Sequence, residues 1–224
     1  MSNQKKFAVV LSGCGVYDGS EIHEATMTLY AIMKNGGTYE IFAPDIPQHH
    51  VINHITGEEM NELRNVLIES ARIARGKIKA ITEFNAEEFD AIVFPGGFGV
   101  AKNLSGFAFD SDNYQVDPGI TKMIREMVKL NKPVGALCIS PVLLARIIEK
   151  PLLTIGNDPE TARAIEKAGA THMAAGHGDI VVDPDYKIVT SPCYMLDANI
   201  LQIAEGAEAT IKEMLKMLSQ PVDA

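Results

Sequence analysis

The chain has 224 residues, a formal net charge of −9 and 46% hydrophobic residues. This length can bury a substantial core, and the acidic balance, without any basic cluster, argues against a nucleic-acid partner. No apolar run is long enough to predict a membrane span. We find no internal repeat, low-complexity run or linker, so a single domain over residues 1–224 is expected.

The three cysteines, at positions 14, 138 and 193, give a first indication of the environment. They cannot all pair, and none belongs to a C-x-x-C motif. Free cysteines fit a reducing compartment, and the N-terminus leads almost directly into a strand pattern without a signal or transit peptide. These features predict a cytoplasmic protein.

The first segments of the chain alternate between strand and helix patterns. Residues 7–11 read as a buried strand, and a glycine-rich loop over 12–19 follows it. Ser20 is the predicted N-cap of a helix that ends at the glycine signal of residues 35–37. A second strand over 39–43 completes a β-α-β unit, which should be parallel and right-handed.

The rest of the chain continues this alternation. Helices are predicted at about 58–74, 120–130, 141–148, 159–168 and 197–218, and strands at 78–81, 90–94, 134–137 and 152–155. Residues 180–190 form a hairpin pattern around a Pro-Asp-Tyr turn. The pattern predicts an α/β fold: a doubly wound, mostly parallel sheet with helices on both faces and a β-hairpin at one edge.

Cys138 lies directly between the strand at 134–137 and a helix that begins with Pro141. A strand, a thiol and a helix in succession are typical of a nucleophile elbow, a sharp turn that presents a reactive side chain at the edge of a sheet. The helix N-terminus should favour the thiolate. Alternatively, Cys138 is a small core residue, as free cysteines usually are, and this stretch alone leaves both interpretations open.

The turn after the strand at 90–94 could complete such a site. Gly96 and Gly97 have no side chains, so their N–H groups could face a substrate carbonyl oxygen. Together with the N–H of Ile139 they would form an oxyanion hole. A Gly-Gly pair after a strand is otherwise only a tight turn.

Two glutamates begin the first helix. Glu21 and Glu24 are spaced i, i+3 and therefore share a face of the first turn. Acidic residues are favoured there in any helix. If one of them serves Cys138, it must be partly buried with a raised pKa, because an ionised carboxylate beside the sulfur raises the thiol pKa. We expect Glu24 to be this buried partner and Glu21 to be more solvated.

Four stretches carry a resemblance to a known family. They resemble ElbB-type proteins, in the ThiJ/PfpI branch of the class I glutamine amidotransferase-like superfamily, and comprise residues 11–25, 51–58, 95–104 and 188–196. The resemblance extends over essentially the whole chain. It implies a flavodoxin-like sandwich, commonly a homodimer, with the reactive elbow cysteine at Cys138, a partner glutamate at Glu24 and Glu21 nearby.

The resemblance also implies an activity. Members similar to this chain are glyoxalases that act without glutathione, some relatives are described as deglycases, and the ElbB name is associated with isoprenoid biosynthesis. In the implied chemistry Cys138 attacks a small aldehyde such as glyoxal to give a hemithioacetal, which becomes glycolate. Glu24 is the candidate acid and base, and no metal, nucleotide or other cofactor is needed. The alternatives are a protein deglycase or a redox-sensing or binding module in which Cys138 is oxidised.

The sequence departs from the family pattern in its histidines. Relatives commonly place a histidine one strand beyond the cysteine, but residues 153–158 contain none. An amidotransferase triad is therefore not expected, and His177 near the hairpin is interpreted as a polar loop residue. We predict a slow enzyme. His49, His50 and His54 share a loop without regular spacing, so they predict no metal site, although His54 could reach the cleft.

Overall fold

The computed structural model describes residues 4–219 and contains one large sheet with a small second one. The strands are β1 (Lys6–Val10), β2 (Thr38–Ala43), β3 (Lys79–Ala80), β4 (Ala91–Phe94), β5 (Val134–Leu137), β6 (Leu152–Leu153), β7 (Thr171–His172), β8 (Val181–Asp183) and β9 (Ile188–Ser191). Seven of them are ordered β3-β2-β1-β4-β5-β9-β8, and β6 pairs with β7 separately. Among these nine strands, β8 and β9 are the one antiparallel pair, which confirms the predicted edge hairpin.

Helices cover both faces of the large sheet. They are α1 (Ile22–Lys34), α2 (Val66–Ile73), α3 (Phe98–Lys102), α4 (Pro118–Lys129), α5 (Pro141–Ile147), α6 (Pro159–Lys167) and α7 (Ile200–Ser219). Side chains alternate along a strand, so Phe7 and Val9 pack with α1 and α7, whereas Ala8 and Val10 pack with α4 and α5. The doubly wound α/β prediction is confirmed.

Some predicted boundaries are wrong. The helix expected over 58–74 is only α2, because the Asn65 side chain accepts a hydrogen bond from the Ile68 N–H and caps it there. The preceding residues form a loop in which Leu63 is fully exposed. The N-cap of α1 is Glu21, not Ser20, whose hydroxyl is buried and accepts from the Ser12 N–H. The helix α3 and the strand β7 lie in segments where no element was predicted.

The strand order places several loops around one crevice. The chain runs from β1 outward to β3 on one side, then returns and runs from β4 outward on the other. Ligands of such sheets bind where the order reverses, at the carboxyl ends of the strands. The turns after β1, β4, β5 and β9 meet at this edge. Between residues 4 and 219, no helix combines the length and the apolar character needed to cross a membrane.

Candidate active site

Cys138 occupies a strained turn between β5 and α5. Its φ is +58°, a left-handed conformation that non-glycine residues seldom adopt. The Cys138 N–H donates to Ser191 O at 2.9 Å, and the Ser140 hydroxyl donates to Pro95 O at 2.8 Å. These bonds fasten the turn to β9 and to the end of β4. The strand-turn-helix geometry of a nucleophile elbow is therefore present.

Glu24 lies fully buried in the first turn of α1 beside this cysteine. Its Oε2 accepts a hydrogen bond from the Gly96 N–H at 2.9 Å, and its Oε1 accepts one from the Tyr194 N–H at 3.2 Å. The Cys138 thiol lies next to this carboxyl group, since a Cβ added at Gly96 would stand 2.5 Å from Glu24 Oε2 and 3.0 Å from the Cys138 sulfur. Three segments that follow β4, β5 and β9 thus converge on one carboxyl group from α1.

The surroundings raise the pKa of Glu24 to about 8. Burial is the largest cause, because removal from water penalises the charged carboxylate, and the nearby charge of Glu21 adds to it. The N–H groups of Tyr194 and Gly96 and the nearby thiol of Cys138 oppose the increase. A glutamate whose pKa is near neutrality can both accept and return a proton in the physiological range.

Burial also raises the pKa of the Cys138 thiol well above its ordinary value. The charge of Glu24 is the next cause, Cys193 contributes, and the Gly97 N–H opposes the increase. Cys138 is only 7% exposed. The expectation that the helix N-terminus makes this cysteine a resting thiolate is therefore wrong, because burial and the adjacent carboxyl group outweigh it.

Glu21 supports Glu24 but has no hydrogen bond to Cys138 among residues 4–219. It is buried, with 7% exposure against 0% for Glu24, so the predicted order of burial is confirmed. Its Oε2 accepts the Glu24 N–H at 2.6 Å, and its own N–H donates to Gly96 O at 2.9 Å. Glu21 therefore fixes the start of α1 against the turn after β4.

The two glycines after β4 have different surroundings. The Gly96 N–H is taken by Glu24 Oε2, so it is not free for a substrate oxygen, contrary to the sequence-based expectation. A side chain at position 96 would not fit, because an added Cβ would collide with Glu24 Oε2 and lie 3.0 Å from the Cys138 sulfur. The Gly97 N–H faces this sulfur instead. The Ile139 N–H makes no hydrogen bond to a backbone acceptor outside regular elements within residues 4–219, so it remains available to a bound group.

His49, His50 and His54 pack against aromatic side chains of neighbouring loops. His54 stacks on Tyr17, with ring centroids 4.9 Å apart, and its Nε2 accepts from the Tyr17 N–H. His49 and His50 pack against Phe109, and His177 is exposed. Within residues 4–219 no group of three or more metal-ligating side chains occurs.

Sequence reasoning missed two residues at the edge of the site. The His23 Nδ1 and the Tyr194 hydroxyl are 2.8 Å apart, and His23 Nδ1 is 3.9 Å from Glu21 Oε1. His23 stands between the two glutamates in the sequence, which was an available signal. Tyr194 contributes its backbone N–H to Glu24, and no side-chain pattern could have indicated this.

Comparison with known proteins identifies the family to which this α/β fold with a cysteine-glutamate pair belongs. The model of the DJ-1/PfpI family matches residues 16–197, and the chain belongs to this family. It is 44% identical over 222 residues to the mitochondrial ES1 protein homolog of Rattus norvegicus, covering 95% of this chain and 84% of that protein. The human mitochondrial glutamine amidotransferase-like class 1 domain-containing protein 3 is 42% identical, with 95% and 83% covered.

Solved structures agree with this assignment. A protein of Ehrlichia chaffeensis, described as an isoprenoid biosynthesis protein with an amidotransferase-like domain, superposes with a TM-score of 0.88 and 37% identity. The match covers 94% of this chain and 99% of that one. Glyoxalase III of Candida albicans has a TM-score of 0.59 at 15% identity, with 95% and 97% covered, and shares the fold.

The relatives also correct one sequence-based expectation. The predicted cytoplasmic location is wrong, because relatives 42–44% identical over 95% of this chain are mitochondrial proteins. Free cysteines indicate reducing surroundings, and such surroundings are not confined to one compartment.

Proposed function

We propose that this protein is a glutathione-independent glyoxalase that converts small 2-oxoaldehydes, with glyoxal and glycolate as the simplest pair. The observation that carries the proposal is the close approach of an elbow cysteine, Cys138, to a fully buried glutamate, Glu24, whose pKa is about 8. A nucleophile beside a base whose pKa is near neutrality is an arrangement suited to covalent catalysis.

The first step is attack of the Cys138 sulfur on one aldehyde carbon. The Glu24 carboxylate takes the thiol proton as the carbon–sulfur bond forms and passes it to the aldehyde oxygen, which gives a hemithioacetal and restores the carboxylate. While negative charge develops on that oxygen, the N–H groups of Gly97 and Ile139 are the donors that stabilise it. Both pKa values are raised, so the reactive thiolate forms during the attack and is not the resting state.

The second step moves a proton between the two substrate carbons. Glu24 removes the hydrogen from the carbon bonded to sulfur and returns this proton to the neighbouring carbon. The hydroxyl proton of the hemithioacetal passes to the oxygen of the second carbonyl, which leaves a thioester of Cys138 and a hydroxymethyl group. Water then hydrolyses the thioester, releasing glycolate and restoring the thiol. The sum is glyoxal plus water to glycolic acid, so the reaction needs no external oxidant or reductant.

The testing experiment measures glycolate formation from glyoxal without glutathione. Wild type is compared with Cys138→Ala and with the matched control Cys14→Ala, which removes a half-buried thiol from the loop after β1. The proposal expects loss of glycolate only in the Cys138 variant. A wild type without turnover, or a Cys138→Ala variant that still forms glycolate, refutes it.

A second experiment distinguishes the redox-sensing alternative from the glyoxalase. Purified protein is treated with peroxide, and oxidation at each cysteine is read by mass spectrometry. Selective oxidation of Cys138 in a protein that forms no glycolate supports the sensor interpretation over the enzyme. A deglycase is distinguished by supplying a glycated peptide under conditions in which free aldehyde is trapped.

A further inference from the structure

A pair of side chains at the edge of the site connects α1 with the turn after β9. The His23 Nδ1 and the Tyr194 hydroxyl form a hydrogen bond of 2.8 Å, and their rings have centroids 5.9 Å apart. The His23 side chain is 50% exposed, and Tyr194 is half-buried against the cluster that contains Cys138 and Cys193. No step proposed above uses either side chain.

The backbone of Tyr194 makes a second contact. Its backbone N–H donates to Glu24 Oε1 at 3.2 Å, so the residue held by His23 also binds the buried carboxyl group. The turn that carries Tyr194 is one short 3-10 segment, Cys193–Met195, in which Cys193 has a φ of +45°. In so short a segment, the position of the tyrosine ring and that of its own amide are coupled.

We propose that His23 is a positioning residue: by holding the Tyr194 hydroxyl, it keeps the Tyr194 amide directed at Glu24 and thereby supports the ionised form of that carboxyl group. The inference rests on the proposed function only in that Glu24 is the base of the reaction. The contact itself belongs to the resting protein and can be tested without a substrate.

Each segment packed around Glu24 presents a group to it. Glu21 faces it from the same helix, Cys138 from the turn after β5, Cys193 and Tyr194 from the turn after β9, and the Gly96 amide from the turn after β4. Burial and Glu21 raise the pKa of Glu24, whereas the Tyr194 N–H lowers it. Among the groups that lower this pKa, Tyr194 is the one whose side chain extends to the surface and to His23.

His23 lies on a different element from the histidine position discussed above. Residues 153–158 contain no histidine. His23 instead acts from α1 through a neighbouring residue. Its exposed position also explains how the ring can be replaced without disturbing the core.

The test is an infrared titration of Glu24 in protein labelled with ¹³C-glutamate. The carboxylic-acid band of Glu24 is identified by its absence in Glu24→Gln, and its midpoint is followed with pH. His23→Phe and Tyr194→Phe should each raise the midpoint by about one unit, the value of a hydrogen bond to a charged group. The double variant should shift it no further, because both substitutions break the same contact.

Two further variants complete the experiment. His23→Asn retains a polar atom near the position of Nδ1 and should keep the midpoint close to that of wild type. Tyr186→Phe removes a tyrosine hydroxyl bond to Glu149 O at 3.0 Å on the β8–β9 hairpin and should change nothing.

Single variants that leave the midpoint of Glu24 unchanged, or that shift it additively, overturn the inference. The titration needs no glyoxal, so its outcome is independent of turnover. A shifted midpoint in a protein that forms no glycolate upholds the positioning role and refutes the glyoxalase. An unshifted midpoint in a protein that forms glycolate refutes the positioning role and upholds the glyoxalase.

Discussion

The Cys138 thiol and the Glu24 carboxyl group lie side by side, and each affects the pKa of the other. Burial is the largest cause of both raised pKa values; beyond it, the charge of Glu24 raises the pKa of Cys138 further, whereas the Cys138 thiol lowers that of Glu24. The first proton to leave this pair therefore comes mainly from Glu24, which gives a carboxylate that accepts the thiol proton. The pair is arranged for a base to activate a neutral thiol during attack.

Replacement of Glu24 by glutamine tests this order of ionisation. Glu24→Gln should reduce glycolate formation about 10²- to 10⁴-fold, the range for loss of a general base. Above pH 9 its Cys138 should be alkylated by iodoacetamide faster than in wild type, because the carboxylate that opposes the thiolate is gone. Glu160→Gln, an exposed first-turn glutamate of α6, is the matched control. Slower alkylation in Glu24→Gln would contradict the order.

The raised pKa of Glu24 predicts how stability depends on pH. Its ordinary value of 4.5 applies to the unfolded chain, and the folded value is about 8, so between these limits the folded state holds a proton that the unfolded state has lost. The free energy of unfolding should therefore fall as pH rises from 5 to 9, by about 2–5 kcal/mol from this group. Urea unfolding at pH 5, 7 and 9 measures it. The Glu24→Gln variant lacks this titrating group, so its free energy of unfolding should fall less over the same pH range. Equal declines in the two proteins would disprove the raised pKa of Glu24.

Gly97 should tolerate no side chain. Its φ is +103°, and an added Cβ would collide with the backbone of Gly19, Ser20 and Glu21. Gly36 has a comparable φ of +83° but open space around it, so Gly36→Ala costs backbone strain alone, about 1 kcal/mol. Gly97→Ala should lose at least about 2 kcal/mol more in urea unfolding. Similar losses in the two variants would show that the close approach to α1 is unimportant.

Asn103 should stabilise the loop after β1. It is buried, and its Nδ2 donates to both Ser12 O and Asp18 O at 2.9 Å. Asn103→Ala leaves these carbonyls without a donor, which should cost about 1–3 kcal/mol of unfolding free energy. Asn113→Ala at an exposed position is the control and should be neutral. An effect of similar size in both would mean that the loop does not depend on this side chain.

The sequence predicted the features that depend on local patterns. The apolar strand before Cys138 and the proline after it indicated the turn, and the apolar residues that follow Glu24 indicated that it is more buried than Glu21. These signals are physical, since strand burial, helix initiation and helical periodicity depend on adjacent residues. The doubly wound, mostly parallel sheet followed from the alternation of strands and helices.

The errors arose where tertiary contacts determine the outcome. A helix was predicted over 58–74, yet Leu63 is fully exposed and the cap at Asn65 begins the helix later. The helix N-terminus beside Cys138 indicated a thiolate, but burial and Glu24 have the larger effect. Whether the Gly96 N–H meets a substrate or a carboxylate depends on a residue 72 positions away.

The contact of the Tyr194 amide with Glu24 joins positions 170 residues apart, so the site exists only once the last strand of the large sheet is in place. Until then Cys138 is a solvated thiol of ordinary acidity, and its conversion to a protonated, shielded group accompanies completion of the sheet. Folding therefore reduces the indiscriminate reactivity of this thiol at neutral pH. A chain stalled before β9 is more readily alkylated than the finished protein, and thiol labelling of Cys138 reports on how far folding has proceeded.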